Sequence, residues 1–366
     1  MSSSVTVLTR LKIDMKSIRI DTHETERGEI TTYELINASG ASVKLSSLGA
    51  GILEIKVPDR DGKLADVVLG YKDLKDYFFD GPCAGKVPGR FSNRICKGHL
   101  EIDGKTYHLN CNHQGVHHLH GGNVGFQNKI WDCEMDGDTV VFSLESPDGD
   151  ENYPGCLTAR IAYTWNDDNV LKIELGAVTD APTVLNLTNH TYFNMAGEDK
   201  EGTALNQVLQ LNSSHYLATD ADLIPTGEIA PVANTPLDFT EPKVIGRDIK
   251  QDFPALNYGK GYDNCWVIDG HEDGDLRLAV VLADEQSGRM VEISTDQPAA
   301  QVYTGNWLEG CPLSKSGKQY HDYDGVAIEC QGFPDAPNHQ NFPSSLLRPD
   351  EEYRRTIIFD FKTIDN

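Results

Sequence analysis

The sequence predicts an all-β protein, built as one large antiparallel β-sandwich. Three observations predict it. Short runs with period-two alternation or β-branched bias recur along the whole 366-residue chain, separated by turn residues. Helical periodicity is scarce. There is no strand–helix–strand alternation, no G-x-G-x-x-G after a strand and no phosphate-binding P-loop.

In chain order, residues 1–25 read as an N-terminal extension of uncertain structure, and residues 26–366 as a single sandwich domain without a linker or internal repeat. "TTYELI", "SVKLSS", "GILEIKV" and "ADVVLGY" open that domain as strands. "YKDLKDYFFDG" (71–81) is the best helix candidate, and Gly81-Pro82 stops it. "GHLEIDGKTYHLN" (98–110) is a hairpin whose two alternating runs meet at Asp103-Gly104. That pair suits a type I′ turn, in which both central residues need positive φ. "TVVFSLESPDG", "LTARIAYTWNDDNVLKIELGAV", "LRLAVVLADEQSGRMVEIST" and "YRRTIIFDF" repeat the scheme to the end.

Composition narrows the function. A net charge of −24 argues against nucleic acid, anionic membranes and phosphorylated substrates, which all attract Lys and Arg. The eight cysteines are dispersed and form no C-x-x-C pair, so they read as free thiols in a reducing compartment. The first twenty residues lack a continuous apolar run with a cleavage site, and no stretch is long enough to cross a bilayer. A cytoplasmic protein is expected.

Chemistry concentrates in a few polar clusters. "GVHHLHGG" (115–122) holds three histidines in four positions. On a strand His118 and His120 share a face and His117 opposes them. Three readings stand open: an H-x-H metal pair needing a third ligand, acid–base work near neutral pH, or structural and solvated histidines. "GRFSNRI" (89–95) places Arg90, Asn93 and Arg94 together, and "NLTNHTYFN" (186–194) sets His190 and Tyr192 on one face. "GYDNCW" (261–266) carries Asp263, and "QPAAQVYTGN" (297–306) carries Gln301 and Tyr303. Asn-rich segments of this kind are ordinarily turns. In "VAIECQGFPDAPN" (326–338) one carboxylate, Glu329, interrupts an apolar strand. A lone strand Glu ordinarily faces water. If both faces of this strand are covered, burial raises its pKa toward the range of a general base. Carboxylate, imidazole, guanidinium and amide groups beside aromatic rings suit the hydroxyls and C–H face of a sugar.

Taken in order, these segments resemble the aldose 1-epimerase family, the galactose mutarotases. "GRFSNRI" looks like the family's G-R-x-x-N-R-I, and "HHLHGGNVGFQNKIW" is similar to its L-H-G-G segment. "NLTNHTYFNMAG" resembles N-L-T-N-H-x-Y-F-N, and "QPAAQVYTGN" and "AIECQGFPDAPNHQNFPSSLLRPDEEY" are similar to its C-terminal signatures. The likeness covers nearly the whole chain. It implies a sandwich of galactose-mutarotase type that interconverts α and β anomers of free hexoses with no cofactor and no metal. It implies Glu329 as general base, His190 as protonated general acid and His120 as a second histidine near the ring oxygen. It implies Asn93, Arg94, Tyr192, Asp263 and Gln301 as hydroxyl-binding groups, and His117 and His118 as rim or scaffold. "YDNCW" and "QPAAQ" depart from the family's usual residues at the rim, which bears on sugar preference. The implied partner is a monosaccharide, bound by a monomer or homodimer. Competing classes are a non-catalytic sugar-binding sandwich, a hexose-6-phosphate 1-epimerase and a cupin-like metalloenzyme.

Overall fold

The computed structural model describes residues 17–364, except 201 and 203. Three large antiparallel sheets build most of the described molecule, beside three two-stranded ones. A nine-stranded sheet runs in the order Asp132–Asp136, Thr139–Ser146, Leu157–Trp165, Val170–Thr179, Tyr353–Thr363, Arg289–Thr295, Arg277–Ala283, Val208–Leu211, Lys243–Val244. Its strands alternate as half-buried strands must. In Val170–Thr179, Leu171, Ile173, Leu175 and Ala177 point inward, while Lys172 and Glu174 pair on the surface at 2.8 Å. Each fully buried Leu or Ile contributes about 1.5–3 kcal/mol.

A six-stranded sheet packs on that inner face. Its order is Tyr192–Phe193, Val326–Gln331, Ala299–Tyr303, Asp263–Val267, His215–Thr219, Pro225–Pro231. Val326, Ile328, Cys330, Ala300, Val302 and Trp266 enter the shared core. Alternation then turns Tyr192, Ala327, Glu329, Gln301, Tyr303 and Asp263 to the opposite face. Register places Gln301 beside Glu329, and Asp263 beside Tyr303. Loops cover this second face, so all six residues of Val326–Gln331 are buried. The condition set for Glu329 is therefore met.

The third sheet runs Ser17–Thr25, Gly28–Ile36, Ser42–Ser46, Gly51–Pro58, Leu64–Asp66. It extends the core through Tyr33, Val43, Leu45, Ile52 and Val57, with the Tyr33 ring edge-on to Phe142 at 6.2 Å. Its outermost strand comes from the stretch read as extension, with residues 26 and 27 in the turn that follows. Residues 1–16 lie outside the described residues.

Two local expectations divide. His99–Ile102 and Lys105–His108 form the predicted hairpin, with Asp103 at φ 51° and Gly104 at φ 76°. The helix expected over 71–81 shrinks to one 3₁₀ turn, Leu74–Tyr77. The Tyr77 hydroxyl accepts the Tyr71 N–H, Phe78 is extended and Phe79 sits at φ 57°, so tertiary bonds outcompete helix propensity.

Arg90 belongs to the scaffold. It is 1% exposed, and its guanidinium donates to the carbonyls of Ser146, Pro147, Pro154 and Gly155 and to the hydroxyls of Ser146 and Thr183. It ties residues 146–155 to the "GRFSNRI" segment. Arg90→Met removes the guanidinium from all four carbonyls; the Pro147 carbonyl keeps the Asp150 N–H at 3.0 Å, and each buried acceptor left unpaired costs about 1–3 kcal/mol. A large drop in Tm by calorimetry is expected, and an unchanged Tm would show that the loop holds itself.

Candidate active site

Three loop segments converge on the outward face of the six-stranded sheet and enclose a cleft of about 490 Å³. Asn93 and Arg94 come from the "GRFSNRI" segment, His120 from the glycine-flanked loop and His190 from the turn before Tyr192–Phe193. The sheet supplies Tyr192, Glu329, Tyr303 and Asp263 to the lining, with Gln301 beneath. A larger cleft, about 1030 Å³, lies between residues 23–27 and 71–79. Charged side chains of both signs line it, without the buried imidazole–carboxylate pair of the smaller one.

Glu329 and His190 form that pair. Nε2 of His190 lies 3.4 Å from Oε1 of Glu329, with side chains 5% and 2% exposed. Burial pushes the Glu329 carboxyl well above its ordinary value; Asp263 adds to this and the Arg94 cation opposes it. Burial pushes His190 down to about 4, and the Lys86 charge acts the same way. Both shifts favour neutral groups. Within the pair, burial thus favours the proton on the carboxyl over the proton on the imidazole. Burial works against the imidazolium that the resemblance implies for the acid, a cost that sequence alone leaves unmeasured.

His120 is reached by a different route from the one alternation predicts. Only His118–Leu119 is extended, and His120 turns to φ 48°. Gly121 follows at φ 82°, where a Cβ would fall 1.6 Å from the Gly89 carbonyl oxygen. The turn separates the three histidines. His118 is fully buried between the Asn110 carbonyl (2.8 Å) and the Tyr153 hydroxyl (2.5 Å), and burial takes it to about 4. His117 accepts the Lys97 N–H and lies 3.6 Å from Asp222. Only His120 reaches the pair, its ring 5.3 Å from that of His190.

His120, His190 and Glu329 each offer a ligand atom within 4.8 Å of the others. Two imidazoles and a carboxylate are a plausible metal set. The hydrogen bonding disfavours it. The Asn93 N–H donates to His120 Nδ1 at 3.1 Å, while the His120 N–H donates to the Asn93 carbonyl at 3.0 Å. An Nδ1 that accepts leaves the ring proton on Nε2. With Nδ1 engaged and Nε2 protonated, neither ring nitrogen of His120 offers a free lone pair. Burial, then His190 and Arg94, hold His120 well below its ordinary pKa, so it is a neutral N–H donor.

The remaining expected residues sit round the cleft. Gln301 donates to Asp263 Oδ1 at 2.6 Å, and Arg94 Nη2 lies 3.7 Å from Asp263 Oδ2. The Asn93 side-chain oxygen accepts the Arg94 N–H at 2.8 Å. Arg94 Nε and Glu329 Oε2 are buried without a hydrogen-bond partner among the described residues. The Tyr192 hydroxyl donates to the Pro82 carbonyl at 3.0 Å, and its ring lies 5.1 Å from that of His190. Its proton is committed, so it offers the cleft a ring face and oxygen lone pairs. Sequence reasoning missed Trp307, 62% exposed at the mouth, and the opposing Asp222 and Leu223. These are loop positions with no periodic signal.

An acid–base pair and a fixed neutral donor, ringed by bidentate polar groups, suit proton transfer on a neutral polyol. The comparisons agree. The aldose 1-epimerase family model matches residues 31–360. The chain is 41% identical to galactose mutarotase of Homo sapiens over 319 residues, 87% of this chain and 90% of that one. It is 35% identical to aldose 1-epimerase of Escherichia coli over 330 residues, 89% and 94% of the two chains. The solved structure of galactose 1-epimerase from Lactobacillus acidophilus superposes with a TM-score of 0.83 at 26% identity, covering 96% of this chain and 100% of that one. The chain belongs to the aldose 1-epimerase family.

The tautomer is directly testable. Nitrogen-15 NMR of the imidazoles should show His120 protonated at Nε2 across neutral pH. Titration of the protein with Zn²⁺, followed calorimetrically, should give no stoichiometric complex at the three residues. A tight complex would mean that the Asn93 hydrogen bond does not hold.

Proposed function

We propose that the chain is an aldose 1-epimerase, a mutarotase interconverting α and β anomers of free hexoses such as glucose and galactose, with Glu329 and His190 exchanging the catalytic proton. The observation that carries this reading is the buried carboxyl–imidazole pair at 3.4 Å, in which burial works against charge on either group. Sugar hydroxyls donating to the carboxyl, with the Arg94 cation nearby, favour the carboxylate. The proton then passes to His190, and base and acid arise together without recruitment from solvent. Glu329 takes the O1 proton while His190 donates to the ring oxygen. The hemiacetal opens, the C1–C2 bond rotates and closure reverses the transfers. Each positioned group is worth roughly 10²–10⁴-fold. His120 stabilises negative charge developing on oxygen as a preorganised donor. Asn93, Arg94, Tyr192, Asp263 and Gln301 hold the sugar.

A binding module needs no acid–base pair, which weighs against that alternative. A phosphorylated sugar calls for a cationic pocket. Among the described residues lining the cleft, Arg94 is the one Lys or Arg, and Asp263 stands beside it. We read residues 26–366 as one catalytic domain with 1–25 as an extension, a reading supported by the family match over 31–360. We further infer a cytoplasmic enzyme of hexose and galactose metabolism, a monomer or homodimer needing no cofactor and binding neither nucleic acid nor membrane. The net charge of −24, eight free cysteines and the lack of a described helix long and apolar enough to cross a membrane support this.

Polarimetry on freshly dissolved α-D-glucose and α-D-galactose tests the reading. Glu329→Gln is expected to lose nearly all turnover while still binding sugar, and His117→Ala to change kcat little. Full activity in Glu329→Gln would sink the assignment. The pH profile has a definite sign. A second proton on the pair inactivates it, so kcat/KM should rise with an apparent pKa of about 4. It should fall again only above the ordinary carboxylate range, where Glu329 loses its raised proton.

A further inference from the structure

Beside His190, the segment 80–86 carries a charged pair that the proposed reaction leaves unused. The side chains of Lys86 and Asp80 are 1% and 0% exposed. Lys86 Nζ donates to Asp80 Oδ1 and to the Tyr77 carbonyl. Asp80 Oδ2 accepts the Tyr71 hydroxyl at 3.0 Å and the Ala84 N–H at 2.8 Å. An ion pair buried this deeply adds little net stability, because desolvation offsets the attraction. Its position gives it another use. The Lys86 carbonyl accepts the His190 N–H at 2.9 Å, and the His190 carbonyl accepts the Gly85 N–H at 2.9 Å. Gly85 lies at φ 71°, where a Cβ would stand 2.0 Å from the Ile52 carbonyl oxygen, so only glycine fits, and its carbonyl accepts the Ile52 N–H at 2.8 Å. The backbone of His190 is bonded on both sides to the segment that the ion pair anchors.

We propose that the buried Lys86–Asp80 ion pair is a positioning device for His190, with Lys86 the positioning residue: it anchors the segment to which the His190 backbone is bonded and holds a fixed positive charge near the imidazole. The inference rests on His190 as the acid of the proposed reaction. It adds a reason why that histidine rests neutral. Lys86 appears among the groups that lower its proton affinity, after burial. The other groups around the ring are Glu329 from its interior strand, His120 from the glycine-flanked loop and Tyr192 two residues on. Arg94, Asp263 and Cys83 interact with Glu329, and Asp80 is the Lys86 counter-charge. Lys86 takes its counter-charge from Asp80, on the segment's own side, and not from Glu329. A fixed cation of this kind makes imidazolium a stronger donor once it forms.

The test follows the His190 ring resonances through pH by NMR, and kcat/KM on glucose over the same range. The variants are Lys86→Gln, which can keep hydrogen bonds to Tyr77 and Asp80, and Asp80→Asn/Lys86→Met, which removes both charges. In each, the His190 midpoint is expected to rise by about one pH unit, a modest part of the range that charges and burial produce. The acid limb of kcat/KM, which reports the free enzyme, should move with it, and KM at neutral pH should change less than about twofold, since an interaction that acts on the reaction step alone leaves binding intact. Lys86→Arg, which keeps the charge, should restore the wild-type midpoint. Tyr71→Phe, which removes one hydrogen bond to Asp80 and no charge, should leave it unmoved. A folded Lys86→Gln or double variant with unchanged midpoint and acid limb overturns the proposal, even if its Tm is lower. The NMR midpoint needs no turnover. Should His190→Gln retain full activity, the proposed function fails on its own count while the effect of Lys86 on the imidazole is still read.

Discussion

The constraint on which the site depends is the burial of one carboxyl group on an interior strand of a β-sheet. Val326–Gln331 is covered on both faces, so Glu329 has no water to stabilise its charge. Desolvation of this kind drives an acid to its neutral form. It acts on His190 in the opposite chemical sense and to the same end. A bias toward neutral groups thus follows from where the strand lies, before any sugar arrives. The register does the rest. Gln301 sits across from Glu329, and Asp263 across from Tyr303, so the polar groups of three adjacent strands are fixed relative to one another. A one-residue slip would turn all of them into the apolar core.

The loops above that sheet are held by main-chain geometry more than by side-chain packing. Arg90 gathers four carbonyls of residues 146–155 on one guanidinium. Gly121 lets one loop lie directly on the Gly89 carbonyl. Asn93 and His120, both in the left-handed region, exchange two hydrogen bonds. Strained backbone of this kind concentrates at sites whose geometry must be exact. The cost is met by the well-packed core under the sheet.

Much of this was legible in the residues. Asp103-Gly104 named its own turn, because that pair tolerates the positive φ that a two-residue hairpin demands. Alternation around Glu329 stated the condition for its burial, and the second layer of loops fulfilled it. The period-two rule failed at the histidines because it applies only while the chain stays extended, and His120 does not. It also could not separate Arg90 from Arg94, since both lie in one irregular segment whose path is set by distant carbonyls. The helix expected at 71–81 gave way to hydrogen bonds involving Tyr71 and Tyr77. Trp307 and Leu223 left no pattern at all, because a cleft mouth assembled from separate loops has no period in sequence.

The donor that assigns the His120 proton is a peptide N–H, not a side chain. Replacing the side chain at position 93 therefore leaves the assignment in place, so long as the loop keeps its path. The chemical identity of the second histidine is in that sense written in the course of the backbone. Sequences free to drift at the surrounding side chains would carry it unchanged, whereas an insertion that re-routes the loop would erase it without touching a residue that meets the sugar.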